Sequence, residues 1–258
     1  SIGEITAEES LKPAMSSFLD LKMTGTMSTE LQFIHKNGSI RWWTVDAVKL
    51  SENVFLGFSS DITEKKNAEA ELLYLSNHDY LTGLYSRRFF EAELKRIDDK
   101  DHLPLSILIG DINGVKLVND AFGHAEGDRL ITDSARILSG CCRKGDTLAR
   151  IGGDEFGIIM PNTDSLTAMD ILSKIHEALN AFDAGPHKDR FTHSISLGFG
   201  TKKESDQASG QVIKTAEEYM DQRKLLDHNS SHSAINTSIK ATMVEKNQGT
   251  EEHAERLV

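Results

Sequence analysis

The chain has 258 residues, of which 27% are charged and 38% hydrophobic, the composition of an ordinary soluble globular protein. Its 29 lysines and arginines stand against 40 aspartates and glutamates, which gives a formal charge of −11. So acidic a chain is unsuited to coating nucleic acid or an anionic membrane, and we expect neither as a direct partner. No run reaches the ~18 apolar residues of a membrane span. This favours a cytoplasmic protein and leaves open a membrane anchor elsewhere in a longer parent.

Residues 29–60 alternate between apolar and polar positions, as half-buried strands do. Asn37 and Gly38 form a strong hairpin signal within this run, and a second break falls near Ser51. The pattern predicts three antiparallel strands, which are too few to form a stable sheet domain alone.

The period changes at Asp61, where residues 61–78 are predicted to form one amphipathic helix. Its apolar positions, Ala68, Leu72 and Leu75, make a narrow seam between charged residues. A narrow seam suits pairing with a second copy of the same helix. Packing against the helix's own domain explains so short a pattern equally well.

Residues 79–229 alternate between helical and strand patterns, including an apolar strand that ends at Asp111 and a hairpin around two adjacent glycines. The only cysteines, Cys141 and Cys142, are neighbours and cannot close a framework of loops, so we expect reduced, structural thiols. The pattern predicts a layered α/β or α+β fold with helices covering a central sheet. After residue 229 the chain turns polar and then begins a further helical pattern.

The hairpin glycines, Gly152 and Gly153, are followed at once by Asp154 and Glu155. Paired glycines permit positive φ angles and a close approach of another group to the backbone. Adjacent carboxylates repel unless a cation lies beside them, and Asp111 adds a third acid if its strand lies next to the hairpin. Such an oxygen-rich site suits Mg²⁺ shared with phosphate oxygens. A solvated acidic hairpin is the alternative.

Between these elements, Asn119 and Asp128 have side chains suited to the hydrogen-bonding edge of guanine. Their surroundings, with Asn-Asp and repeated glycines, are equally typical of a turn between two helices. The spacing alone favours the turn.

Five motifs then identify a family. They are DYLTGLYSRR, GDINGVKLVNDAFGHAEGD, RKGDTLARIGGDEFGIIMP, SISLGFG and AEEYMDQRK, in that order. Residues 79–229 resemble the GGDEF domain of diguanylate cyclases, which implies an α+β fold with a mostly antiparallel central sheet flanked by helices, similar to nucleotide cyclases and polymerase palms. It also implies a Mg²⁺- or Mn²⁺-dependent homodimer that condenses two GTP into cyclic di-GMP and pyrophosphate.

The resemblance carries residue roles onto matching positions. The metal ligands would be Asp111, Asp154 and the carbonyl of Ile112. The catalytic groups would be Asp154, Glu155 and Lys116. The guanine would be bound by Asn119 and Asp128. Further substrate contacts would come from His124, Gly152, Gly153, Lys224 and His228. An inhibitory site for cyclic di-GMP would include Arg143 and Asp146.

The chain departs from the family pattern at several positions. Asn113, Gly114 and Val115 replace the usual Asp, His and Phe, and none of the three is expected to be a side-chain metal ligand. Asp221 replaces a usual Tyr, and His228 stands where a phosphate-contacting Arg is common. A neutral His holds a triphosphate less firmly than a fixed cation, so nucleotide affinity is expected to suffer rather than the reaction class.

The flanking segments also resemble known modules. Residues 1–60 are similar to the C-terminal part of a PAS sensor domain, and residues 61–78 to its signalling helix. Residues 230–258 resemble a linker and the truncated first helix of an HD or HD-GYP phosphodiesterase domain, with Glu252 and His253 as metal-ligand candidates in a whole domain. This order implies a sensory protein with a cyclase output. The alternatives are a weak cyclase that binds GTP or cyclic di-GMP to regulate a downstream phosphodiesterase, or a domain that only relays signals.

Overall fold

The computed structural model describes residues 6–184 and 192–225. The chain divides into two compact units, and the boundary between them falls after Tyr74. The predictions for the tail at residues 230–258 and for His228 lie outside the described residues.

In its described residues, the first unit contains helix α1 (Glu8–Thr24), the strands β1 (Thr26–Ile34), β2 (Ile40–Ser51) and β3 (Val54–Asp61), and most of the helix that follows them. The strands form an antiparallel sheet in the order β1-β2-β3, as the alternating pattern predicts. Gly38 has a φ of 84°, which is the left-handed conformation that the first hairpin requires. The pattern did not predict α1, which carries Pro13 in its interior and buries few residues. Together, α1 and the sheet line an apolar cavity of about 770 Å³.

A second helix, α2 (Thr63–Asn77), follows at the predicted place. The Asp61 carboxylate accepts a hydrogen bond of 2.9 Å from the Thr63 N–H, so it satisfies a free donor at the start of the helix. None of the residues of α2 is buried, and Leu72 and Leu75 are both exposed. Pairing through this seam therefore stays a prediction.

The second unit is built on five strands, β4 (Tyr85–Ser86), β5 (Leu105–Ile112), β6 (Thr147–Arg150), β7 (Glu155–Met160) and β8 (Ile195–Lys202). They form one sheet in the order β4-β6-β7-β5-β8. All neighbours are antiparallel except β4 and β6, which are parallel. The predicted α+β fold with a mostly antiparallel central sheet is thus confirmed.

Helices cover both faces of this sheet. They are α3 (Arg87–Arg96), α4 (Val115–Phe122), α5 (His124–Cys141), α6 (Ser165–Asp183) and α7 (209–225), with a short 3₁₀ turn at Lys100–His102. Along β5, Leu108 and Ile112 pack with α4, α5 and α6, whereas Ile107 and Ile109 pack with α3 and α7. Successive side chains of a strand point to opposite faces, so a strand covered on both sides is apolar over most of its length. In β5 the polar side chains, Ser106 and Asp111, lie next to the two ends of the strand.

Candidate functional site

The acids singled out in the sequence meet where β5 ends and β7 begins. The two strands pair antiparallel, with Asp111 opposite Glu155. The backbone N–H of Ile112 donates a 2.9 Å hydrogen bond to the carbonyl of Asp154. The structure therefore brings the strand-end acid beside the hairpin acids, an arrangement that the sequence left as an assumption.

The glycine hairpin closes by hydrogen bonds from the N–H groups of Ile151 and Gly152 to the carbonyl of Glu155, at 2.9 and 3.2 Å. Neither Gly152 nor Gly153 has a positive φ, so this hairpin does not use the left-handed conformation that glycine permits. The requirement for glycine at position 152 is spatial, because a Cβ there would lie 2.4 Å from Glu155 Oε2. A Cβ on Gly153 would enter open space, so only at the first glycine would a side chain displace Glu155.

Arg150 braces this hairpin. Its Nε and Nη2 donate to the carbonyl of Gly153 at 3.1 and 2.6 Å, and its Nη1 lies 3.0 Å from Asp79 Oδ1. Burial alone would raise the pKa of Asp79, but hydrogen bonds from Thr82 and the Arg150 guanidinium outweigh it and hold the pKa below 3.8. Asp79 and Arg150 both lie in the quoted motifs, yet only the structure reveals that they are partners.

The charge around Asp111 is unbalanced. Burial raises the pKa of the Asp111 carboxyl, the Lys224 ammonium lowers it, and the negative charges of Asp154 and Glu155 raise it again, so that the pKa stays above 3.8. Lys224 Nζ lies 2.8 Å from Asp111 Oδ2. Among the residues that the structure describes, Lys224 provides the ammonium in contact with Asp111, and the nearby charges of Asp154 and Glu155 leave an excess of negative charge.

The residues at this site fit a divalent cation that is shared with a substrate. Within residues 6–184 and 192–225, no group of three or more His, Cys, Asp or Glu side chains could hold a metal ion by itself. Asp111 and Asp154 offer carboxylate oxygens, and Ile112 offers a carbonyl, which are hard ligands of the kind that Mg²⁺ and Mn²⁺ accept together with phosphate oxygens. The excess negative charge is the feature that a cation would relieve.

Asn113, one of the departures from the family pattern, ties the end of β5 to β8. Its Nδ2 lies 3.0 Å from the hydroxyl oxygens of Ser194 and Ser196, and its backbone N–H donates to the carbonyl of Ser194 at 2.8 Å. A neutral amide can donate to and accept from the two hydroxyls, so Asn113 is accommodated as a structural bridge.

The two residues expected to bind guanine lie on consecutive helices. Asn119 is on α4 and Asp128 on α5, and the two helices meet at Gly123, whose φ is 92°. Asn119 Oδ1 is buried and has no hydrogen-bond partner among the described residues. A Cβ on Gly127 would lie 1.9 Å from this oxygen, so glycine is required there. Both the turn interpretation and the binding interpretation agree with this geometry.

The remaining predicted site residues fall in different places. Lys116 and His124 are exposed, on α4 and at the start of α5 respectively. Arg143 and Asp146 pair with each other at 3.2 Å, immediately before β6 and therefore at the opposite end of that short strand from the hairpin. The structure thus separates the predicted inhibitory pair from the acids at Asp111.

The cysteines next to this pair are both free thiols. Burial, with a smaller contribution from Asp146, raises the pKa of Cys142 to about 12. A thiol with so high a pKa is protonated at neutral pH and unreactive, in agreement with the expected structural role.

Comparison with known proteins identifies the second unit. The profile described as "Diguanylate cyclase, GGDEF domain" matches residues 76–230, more than half of the chain. The chain belongs to the GGDEF family. This match confirms the resemblance seen in the motifs of residues 79–229, while the similarity of the flanks to PAS and HD-type domains stays a prediction.

Individual relatives agree with this assignment. The chain is 34% identical to the diguanylate cyclase DgcM of Escherichia coli O157:H7 over 184 residues, which cover 68% of this chain and 44% of DgcM. Among solved structures, the coiled coil and GGDEF domain of DgcB from Caulobacter crescentus, in complex with c-di-GMP, has a TM-score of 0.57 at 22% identity, covering 63% of this chain and 88% of that one. The GGDEF domain of TpbB (YfiN) from Pseudomonas aeruginosa has a TM-score of 0.51 at 30% identity, with coverages of 58% and 89%.

The chain spans only part of the length of curated relatives that it matches, for example 24% of one, 44% of DgcM and 11% of another. In the ranges that the structure describes, no helix has both the length and the apolar character needed to cross a membrane.

Proposed function

We propose that this protein is a diguanylate cyclase, which converts two GTP into one cyclic di-GMP and two pyrophosphates. The observation that carries the proposal is the meeting of Asp111, Asp154 and Glu155 at the GGDEF hairpin, where Lys224 is the one ammonium of the described residues in contact with Asp111. Membership of the GGDEF family supports the same reaction class.

Asp111, Asp154 and the carbonyl of Ile112 are the proposed ligands of Mg²⁺ or Mn²⁺. When bound, the metal ion would lower the cost of deprotonating a ribose 3′-hydroxyl and neutralise charge on the phosphates. Asp154 is the proposed proton acceptor for that hydroxyl, and Glu155, its neighbour in the hairpin, supports the same site. Arg150 holds the Gly153 carbonyl and so fixes the turn from which both carboxylates project.

Substrate recognition is proposed for the helical side of the site. Asn119 and Asp128 would bind the guanine edge, because the unpaired buried oxygen of Asn119 offers an acceptor that a base could satisfy. Lys116 and Lys224 would face the triphosphate, with further contacts from His124, Gly152, Gly153 and the more distal His228.

The reaction requires two copies of the domain, because each GTP must supply a 3′-hydroxyl to the α-phosphate of the other. Holding the two substrates face to face supplies the proximity that a bimolecular reaction lacks. The exposed apolar seam of α2 is the proposed device for pairing, and signals sensed by the first unit would act through it. Arg143 and Asp146 form the proposed site of product inhibition.

Incubating the 258-residue protein with GTP and Mg²⁺, and measuring pyrophosphate and cyclic di-GMP, tests the proposal. The rate should rise faster than linearly with protein concentration if two copies are needed. Asp154→Ala should abolish product, whereas Asp170→Ala, at an exposed aspartate of α6, should not change it. Full turnover by Asp154→Ala would refute the catalytic assignment.

A binding regulator is the second candidate, and the partly exposed Arg143 side chain favours it, since its guanidinium remains accessible to a phosphate. In that case the protein would bind cyclic di-GMP without forming pyrophosphate. Arg143→Ala should then abolish binding, and Asp154→Ala should leave it intact.

A further inference from the structure

Helix α7 lies directly on the backbone of β8. A Cβ on Gly198 would lie 2.1 Å from the carbonyl oxygen of Ala216 and 2.3 Å from the N of Met220, and one on Gly200 would lie 2.4 Å from the carbonyl oxygen of Val212. These glycines allow the helix to approach the strand more closely than any side chain would permit. The position of α7 along β8 is therefore fixed by contacts between backbones.

This docking carries Lys224 to Asp111. Val212, Ala216 and Met220 are buried, recur every four residues, and run along β8 from Gly200 towards its beginning. Residues four apart share one face of a helix, so Lys224 lies on the same face of α7, one turn beyond Met220. Ser196, at the beginning of β8, is the partner of Asp111 in the sheet, and there Lys224 Nζ lies 2.8 Å from Asp111 Oδ2.

We propose that Lys224 is an exchangeable counter-ion, which neutralises Asp111 in the empty site and moves to the nucleotide phosphates when a divalent cation takes its place. The inference rests on the proposed function and adds to it a coupling between metal and nucleotide binding. The metal alone would have to displace an ammonium, whereas metal and nucleotide together provide that ammonium with a new anionic partner.

The electrostatics of the site favour such an exchange. An ammonium and a divalent cation on one buried carboxylate would repel each other strongly at low dielectric constant. Lys224 can leave because its side chain is 41% exposed and has a flexible four-carbon stem. A nucleotide that binds the displaced ammonium therefore strengthens metal binding. Because coupling between two ligands is reciprocal, the metal strengthens nucleotide binding by the same factor.

Mn²⁺ binding to the nucleotide-free protein, followed through the electron paramagnetic resonance signal of the free ion, tests the exchange without any turnover. Lys224→Met should bind Mn²⁺ roughly tenfold or more tightly than the unaltered protein, because the competing charge is gone. Lys224→Arg keeps the charge and should remain near the unaltered protein. Lys214→Met is the matched control, since Lys214 lies on the same helix but pairs with exposed Glu218.

Thermal melting of each variant shows whether it is folded, and Lys224→Gln provides a second uncharged side chain should the methionine variant unfold. Equal or weaker Mn²⁺ binding by the folded, uncharged variant would overturn the exchange.

A non-hydrolysable GTP analogue should strengthen Mn²⁺ binding less in Lys224→Met than in the unaltered protein. If the unaltered protein forms product from GTP but Lys224→Met binds Mn²⁺ with unchanged affinity, this inference alone is refuted. If Lys224→Met binds Mn²⁺ more tightly but the unaltered protein forms no product, the proposed function alone is refuted.

Discussion

Helix α7 has a lysine–aspartate pair near each of its ends, and the two pairs differ in charge balance. Near its start, Lys202 is buried and bonded to Asp98, which also accepts a 2.9 Å hydrogen bond from the Ser209 hydroxyl. Near its end, Lys224 contacts Asp111 beside two further carboxylates. Lys202 lies at the end of β8 and Asp98 just after α3, whereas Lys224 lies on α7 and Asp111 on β5.

The pKa shifts of the two aspartates run in opposite directions. The hydrogen bond from Lys202 lowers the pKa of Asp98 below 3.8, and burial and the neighbouring charge of Asp99 oppose this only in part. Burial raises the pKa of Asp111, and the nearby acids add to that effect in spite of Lys224. A balanced pair is satisfied within the protein and stabilises the fold, whereas an unbalanced pair is suited to an additional cation.

The largest expected effect is on catalysis, at the unbalanced end. Asp111→Asn keeps the shape of the side chain and removes its charge, so turnover of GTP should fall on the order of a thousandfold. The melting temperature should change little, since the replaced carboxylate was not electrostatically satisfied. A pyrophosphate assay and thermal melting of the same preparation separate the two quantities. If Asp111→Asn is unfolded at room temperature, Asp111 stabilises the fold as Asp98 does, and the proposed difference between the two pairs is wrong.

The next largest effect is on stability, at the balanced end. Asp98→Asn leaves the buried Lys202 ammonium without its anion, and the free energy of unfolding should fall by about 3 kcal/mol. Denaturant titration measures this loss. Turnover per folded molecule should be unchanged, and a thousandfold loss there would show that Asp98 acts on the catalytic site after all.

The contribution of Asp98 to the free energy of unfolding should decrease as the pH falls. Its pKa in the folded protein is lower than the ordinary 3.8, so its ionised form stabilises the fold above that value and loses this contribution as the pH falls through the folded pKa. The difference in unfolding free energy between the unaltered protein and Asp98→Asn should therefore be constant above about pH 5 and shrink below about pH 4. A difference that grows on acidification would contradict the assigned ion pair.

A smaller effect is expected where the helix contacts the strand between the two pairs. Gly198→Ala places a Cβ against the backbone of Ala216 and Met220, and overpacking of this kind costs about 2 kcal/mol. Gly210→Ala is the control, because a Cβ there meets nothing within 4 Å. Equal stability of the two variants in denaturant would mean that α7 can shift along β8, and that the place of Lys224 is not fixed by this contact.

The smallest effect concerns the hydroxyl at the start of α7. Ser209→Ala removes one of two donors to Asp98 and should lower the unfolding free energy by about 1 kcal/mol. Ser173→Ala, whose hydroxyl bonds only to the carbonyl of Met169 on its own exposed helix turn, should change it less. A larger loss in the Ser173 variant would point to a general effect of the substitution.

The sequence predicted most of the secondary structure and singled out the acids that the structure brings together. The apolar run before Asp111 predicted a buried strand, the glycines before Asp154 predicted a hairpin, and both are present. These signals are local, because strand periodicity and turn chemistry depend on neighbouring residues. Helix α1 escaped prediction because it buries only two of its residues, Ser10 and Leu21, and so has no clear apolar stripe.

Only the tertiary structure decided which charges meet. The sheet register placed Asp111 opposite Glu155, Arg150 joined Asp79 to the hairpin, and the docking of α7 on Gly198 brought Lys224 to Asp111. Each of these contacts joins elements that are far apart in the chain. Their energy depends on burial and on the net charge of the assembled neighbours, and neither quantity exists until the strands and helices are packed.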